Sequence, residues 1–90
     1  MAHVTFTRHL RRFFPTLVDG DAPGATVREV IDELERRYPG FASYIVDETG
    51  RLRRHVSIFV GEEMIRDRMR LSDALAPDDK VFILQALSGG

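Results

Sequence analysis

Only one stretch of this chain has the length and period of a full helix, so the rest must be built from short alternating segments around it. Val27, Val30, Ile31, Leu34 and Tyr38 recur at helical spacing and mark one apolar stripe. Thr26 stands where a first-turn cap belongs, and Glu29, three residues on, completes a capping box. Arg36 and Arg37 fall in the last turn, where positive charge suits the helix dipole, and Pro39-Gly40 stops the run. The helix is predicted over Thr26 to Tyr38. One helix with one apolar face needs one sheet to lie on.

The flanking segments supply it. Val4, Phe6 and Leu10 alternate with Thr5 and Thr7, a two-residue period that predicts a strand ending near Thr7 or Arg8. Leu10 to Phe14 reads as a helical turn or wide loop, and Thr16 to Asp19 as a short returning strand. Gly20 to Gly24 reads as a loop. After the helix, Phe41 to Val46 reads as a helical turn and Asp47 to Gly50 as a tight turn. Val56 to Val60 is a predicted strand with Val56, Ile58 and Val60 buried and Phe59 on the other face. Gly61-Glu62-Glu63 turns the chain, and Met64-Ile65 starts a short strand. Leu71 to Leu75 reads as a helical turn, Pro77-Asp78-Asp79 as a turn, and Lys80 to Leu87 as the final strand. This order is an α+β layout, a small mixed sheet with one main helix across one face and the first and last strands side by side in parallel. A β-grasp arrangement satisfies it most economically, as a single domain over residues 1–90.

Composition bounds what such a domain does. The 90 residues hold 13 Lys and Arg against 14 Asp and Glu, which gives no general attraction to nucleic acid or an anionic membrane. No cysteine is present, so disulfides, thiolate metal sites and a cysteine nucleophile are excluded. His3, His9 and His55 lack metal-ligand spacing, and no P-loop, dinucleotide or G-x-S-x-G pattern occurs. No apolar run approaches the ~20 residues of a membrane span, and Met1 to Arg12 has no signal-peptide core. These points lead to a cytoplasmic protein that catalyses nothing alone. Three arginine clusters, Arg8/Arg11/Arg12, Arg51/Arg53/Arg54 with His55, and Arg66/Arg68/Arg70, read as solvated surface among the acids, with steering of an acidic partner as the other reading.

The chain ends Leu87-Ser88-Gly89-Gly90 directly after the last strand. Glycine lacks a Cβ, so a flexible tail over about 87–90 is able to enter a narrow tunnel and present an unhindered carboxyl. Four extended residues span roughly 13 Å. The strand before it is apolar on both faces: Val81, Ile83 and Leu87 on one, Phe82, Leu84 and Ala86 on the other. A strand with one solvated face alternates instead. One face therefore packs on the helix and the other is a candidate partner surface, to which alternation assigns Phe59 and Phe82.

Taken together, the opening strand, the Thr26-Val27-Arg28-Glu29-Val30 helix start, the Val56-to-Val60 strand followed by Gly61-Glu62, the Leu71-to-Leu75 turn, the turn at Pro77-Asp78-Asp79 and the Val81-to-Gly90 ending resemble the ubiquitin-like sulfur carriers of the ThiS and molybdopterin-synthase small-subunit superfamily. The stretch Gly50 to Val60 followed by Glu63-Met64-Ile65-Arg66 is similar to the CysO-like branch, although Ser57 and Gly61 stand where asparagine is common in the family. The resemblance implies a protein cosubstrate rather than an enzyme. A ubiquitin-activating-type adenylyltransferase would use ATP to adenylate the Gly90 carboxylate, and sulfide or a sulfurtransferase persulfide would convert it to a thiocarboxylate. No cofactor is implied on this chain itself. The resemblance places Leu84, with Met64 nearby, at the partner surface; the reach of the tail adds Leu87 and small Ser88, with Gly89 giving access. The implied acceptor is a pyridoxal-phosphate cysteine synthase. The alternatives are the large subunit of molybdopterin synthase, with this chain as small subunit, conjugation to protein lysines as a ubiquitin-like modifier, and a plain binding module whose tail does nothing.

Overall fold

In the computed structural model, which describes residues 1–85, the helix forms where the apolar stripe predicts it. It runs over Val27–Arg37 (α2) and buries Val27, Val30, Ile31 and Leu34. The Thr26 hydroxyl accepts the Glu29 N–H at 3.3 Å. The Glu29 carboxylate reaches one residue beyond the cap and accepts from the Ala25 N–H at 3.1 Å. The next orphan donors of the first turn, the Val27 and Arg28 N–H groups, go to the carbonyls of Asp73 and Leu71 at 3.0 and 2.9 Å.

Strands β1 (Ala2–Phe6), β2 (Gly20–Ala22), β3 (Val56–Val60), β4 (Glu63–Met64) and β5 (Lys80–Gln85) form one sheet in the order β2-β1-β5-β3-β4. The last strand lies at its centre, parallel to β1 with His3 opposite Lys80, and antiparallel to β3 with Ile58 opposite Ile83. Short helices α1 (Arg8–Arg11) and α3 (Phe41–Ile45) complete the layer that packs with α2 on one face. This is the ubiquitin-like β-grasp expected. The core joins Val4, Ile58, Val81 and Ile83 of the sheet to the α2 stripe and to Phe41 and Ile45. Phe41 is the hub of an aromatic cluster, edge-on to Phe6 and Phe14 with centroids 5.7 and 5.6 Å away.

Three expectations are corrected. Residues 16–19 are not a strand, and the supposed loop Gly20–Ala22 is β2, with Ala2 opposite Ala22. The reason is Asp19, whose carboxylate takes the Phe6 N–H at 3.1 Å, so a side chain fills the place of a ladder carbonyl there. The Arg37 guanidinium holds β2 to the helix through the Asp21 carbonyl at 2.9 Å. Residues 71–75 are not a helical turn either. Leu71 sits at φ +57° and Ala74 bridges Thr26, because the carbonyls of 71 and 73 cap α2 rather than closing a turn of their own. Val60 is half-buried at the core margin rather than fully inside. In the β3–β4 hairpin Gly61 has φ +63°, the positive value that a tight two-residue turn needs at its first position.

Candidate functional site

The candidate site starts from the pleat of β5. Val81 and Ile83 face the core, so Phe82 and Leu84 point to the opposite side of the sheet, away from the helices. Register then brings the expected residues together. Phe82 lies between Thr5 of β1 and Phe59 of β3, and Phe59 lies opposite Met64 of β4. Leu84 is one step along the same face, opposite Ser57. Directly paired residues of neighbouring strands place their Cβ atoms about 5 Å apart. Met64, Phe59 and Phe82 therefore form one row across three strands, with Leu84 beside it. Phe59, Phe82 and Leu84 are half-buried and Met64 is 48% exposed.

No charged residue interrupts this row. At the start of β5 His3 stands opposite Lys80, and its ring lies 3.1 Å from the Asp21 carboxylate. The row is thus uncharged in the middle of the sheet, with Lys80, His3 and Asp21 toward the start of β5 and the 51–55 segment past its end. Thr5 and Ser57 belong to the uncharged surface and were not singled out from the sequence; their signal is register, which one strand alone does not reveal. Thr7 is a further addition, since its hydroxyl accepts the Gln85 N–H at 3.4 Å and fixes the last described residue of β5. Leu87, Ser88, Gly89 and Gly90 lie outside the described residues, as does the end of the predicted final strand.

Among the described residues, no three His, Asp or Glu side chains gather as metal ligands would. The carboxylates held below their ordinary range serve the fold. Hydrogen bonds from the Gly40 and Ala42 amides lower Glu35, and those bonds start α3. Glu33 is lowered first by its hydrogen bond from Arg37, against the pull of desolvation, and then by the charges of Arg36 and Arg37. The geometry suits docking by shape and apolar contact rather than acid–base work. No helix of the described residues is long and apolar enough to cross a membrane.

Comparison with known proteins agrees with this arrangement. The sequence profile of the ThiS family matches residues 4–90. The sulfur carrier protein CysO of Mycobacterium tuberculosis is 39% identical over 71 residues, which is 77% of this chain and 76% of that protein. In the crystal structure of M. tuberculosis CysO the match covers 97% of this chain and all of that one, at TM-score 0.82 and 32% identity. A chain of the Amycolatopsis orientalis BexX/CysO complex superposes over the full length of both, at TM-score 0.85 and 30% identity. SAMP1 of Haloferax volcanii shares the fold at TM-score 0.76 and 24% identity, covering 99% of this chain and 98% of that one.

Proposed function

The chain belongs to the ThiS family of sulfur carriers, in its CysO-like branch, and from that premise we propose that Gly90 carries the sulfur as a thiocarboxylate. The α-carboxylate, with a pKa near 3.5, is ionised and unreactive at neutral pH. A ubiquitin-activating-type adenylyltransferase joins it to the α-phosphate of ATP and releases pyrophosphate. Hydrosulfide then attacks the acyl carbon; the carbon–sulfur bond forms, the bond to AMP breaks, and a proton is lost to water. The nucleophile is thereby made on the carrier, so a chain without cysteine handles sulfur. In this reading the steps take place in the cytoplasm.

The observation that carries the reading is the family profile's match over residues 4–90, which runs through the central strand β5 and on to Gly90. In this reading residues 1–90 are one domain whose last residues, about 87–90, enter the partner's active site. Gly89 gives access, and Leu87 and Ser88 pass the mouth. The row of Met64, Phe59 and Phe82 with Leu84 is the docking surface. The identity to CysO favours a cysteine synthase as acceptor over the large subunit of molybdopterin synthase. Attachment to lysines has the weaker support, since the likeness to SAMP1, the small archaeal modifier protein 1 of H. volcanii, is one of fold alone.

Intact mass tests the proposal directly. After incubation with ATP, sulfide and an activating enzyme, the protein gains the mass difference between sulfur and oxygen, and deletion of Gly90 abolishes the gain. Lysine adducts ending in Gly-Gly, without any sulfur-bearing form, support the modifier instead. An unchanged mass across the activating enzymes of the source cell sinks the carrier reading.

A further inference from the structure

Arg51, Arg53, Arg54, Arg66, Arg68 and Arg70 make up six of the chain's 13 basic residues, and among the described residues none of them is in an ion pair. The ion pairs that do occur involve His3, Arg11, Arg36 and Arg37. Arg51, Arg53, Arg54, Arg68 and His55 line an open cleft of about 490 Å³, and Asp47 is its one carboxylate. Its Oδ1 accepts the Thr49 hydroxyl and the Thr49 and Arg51 N–H groups at 2.6, 2.9 and 3.1 Å, and no arginine of the cleft is in ion-pair contact with it. Asp67 and Asp73 are likewise taken up by backbone N–H groups of their own loop.

Two of the arginines are fixed in place. Half-buried Arg53 donates its Nε–H to the Ser43 carbonyl at 2.9 Å. Half-buried Arg68 donates from Nη2 to the carbonyls of Arg53 and Val56 at 2.9 and 3.1 Å. Each keeps the rest of its fork without a carboxylate acceptor among the described residues, and a pre-ordered fork loses little entropy on binding an anion. Arg51 and Arg54 stand exposed on the rim, with no side-chain hydrogen bond among the described residues. The cleft is at the edge where β5 ends: Gln85 pairs with Val56 and lines an adjoining hollow that shares Arg53 and His55. Gln85, the last described residue, thus stands beside this rim.

We propose that this cleft docks an acidic segment of the protein that receives the C-terminal residues, with carboxylates seated on Arg53 and Arg68 and drawn in by Arg51 and Arg54. The identity of that protein rests on the carrier reading; the binding itself does not. Arginines spread over the floor and rim of an open cleft suit a chain of carboxylates better than one compact anion.

The probe is a blocked peptide of alternating Glu and Gly, titrated into the full chain at low salt and followed by 1H–15N NMR. Saturable shifts are expected at residues 51–55 and 68–69. Charge reversal on the rim, R51E with R54E, is expected to weaken binding roughly tenfold or more. The R51K/R54K variant retains most of the binding, because charge alone serves for steering. The rim side chains make no bonds that the fold needs, and an unchanged melting temperature checks this. The proposal is overturned by equal shifts around Arg8, Arg11 and Arg36, by full binding in R51E/R54E, or by inorganic pyrophosphate occupying the cleft where the peptide does not. Sulfur loading at Gly90 is read by mass alone, so either proposal is able to fail without the other.

Discussion

Single carboxylates shape the loop over residues 66–73. Asp67 accepts the N–H groups of Met69 and Arg70 at 3.0 Å each, together with the amide and hydroxyl of Ser72. Asp73 accepts the N–H groups of Arg66 and Asp67 at 2.9 and 2.8 Å. This brace holds buried Leu71 in the left-handed region, where a leucine is strained. The Ser72 hydroxyl first, then the Arg70 amide, bring the Asp67 carboxyl down from 3.8 to about 2. A lowered folded pKa contributes stability above the unfolded value that is lost as pH falls through the folded one. Denaturation midpoints should therefore drop as pH falls from 3.8 to about 2, and the Asp67→Asn variant should start lower at neutral pH and drop less. Equal slopes in the two proteins would remove Asp67 from the account. None of this is visible in Leu71-Ser72-Asp73-Ala74-Leu75, whose apolar spacing imitates a helical turn. Gly24 is comparably hidden: a Cβ there would lie 2.9 Å from the Val30 nitrogen, so glycine lets this loop close on the helix.

Elements were legible to the degree that their pattern came from their own residues. α2 and β3 follow from period and caps alone, and β3 matches its predicted bounds. β2 does not, because Gly20-Asp21-Ala22 has turn composition and becomes a strand only by pairing with Ala2, His3 and Val4. Tertiary pairing overrides propensity at such edges. The candidate surface shows the same division. Alternation put Phe59 and Phe82 on one face, whereas their being opposite each other, with Met64 next in the row, needs the register. β5 gives this a measurable form. Ile83 is fully buried, and Ile83→Ala should cost about 2–5 kcal/mol in chemical denaturation. Its neighbour Phe82 faces the other way, so Phe82→Ser should cost markedly less while weakening capture by the activating enzyme. If both substitutions destabilise equally, Phe82 belongs to the core and not to a docking surface.

For the whole molecule the decisive fact is that the last strand occupies the middle of the sheet. The pairing of His3 with Lys80 joins the two extremes of the described chain, so the core closes only when β5 inserts. A fragment of residues 1–79 should therefore lack native NMR dispersion, and a peptide of residues 80–90 should restore it; a folded 1–79 would contradict this. The central position has a mechanical meaning as well. If, as proposed, a partner takes hold of the chain beyond Gln85, a pull directed along β5 acts on its two neighbours at once. Between β1 and β3 that pull loads both ladders in shear, with many hydrogen bonds sharing the force. An edge strand pulled sideways would instead unzip one bond at a time. The domain is thus moored at its centre, and a load on β5 is spread over two ladders before the sheet yields.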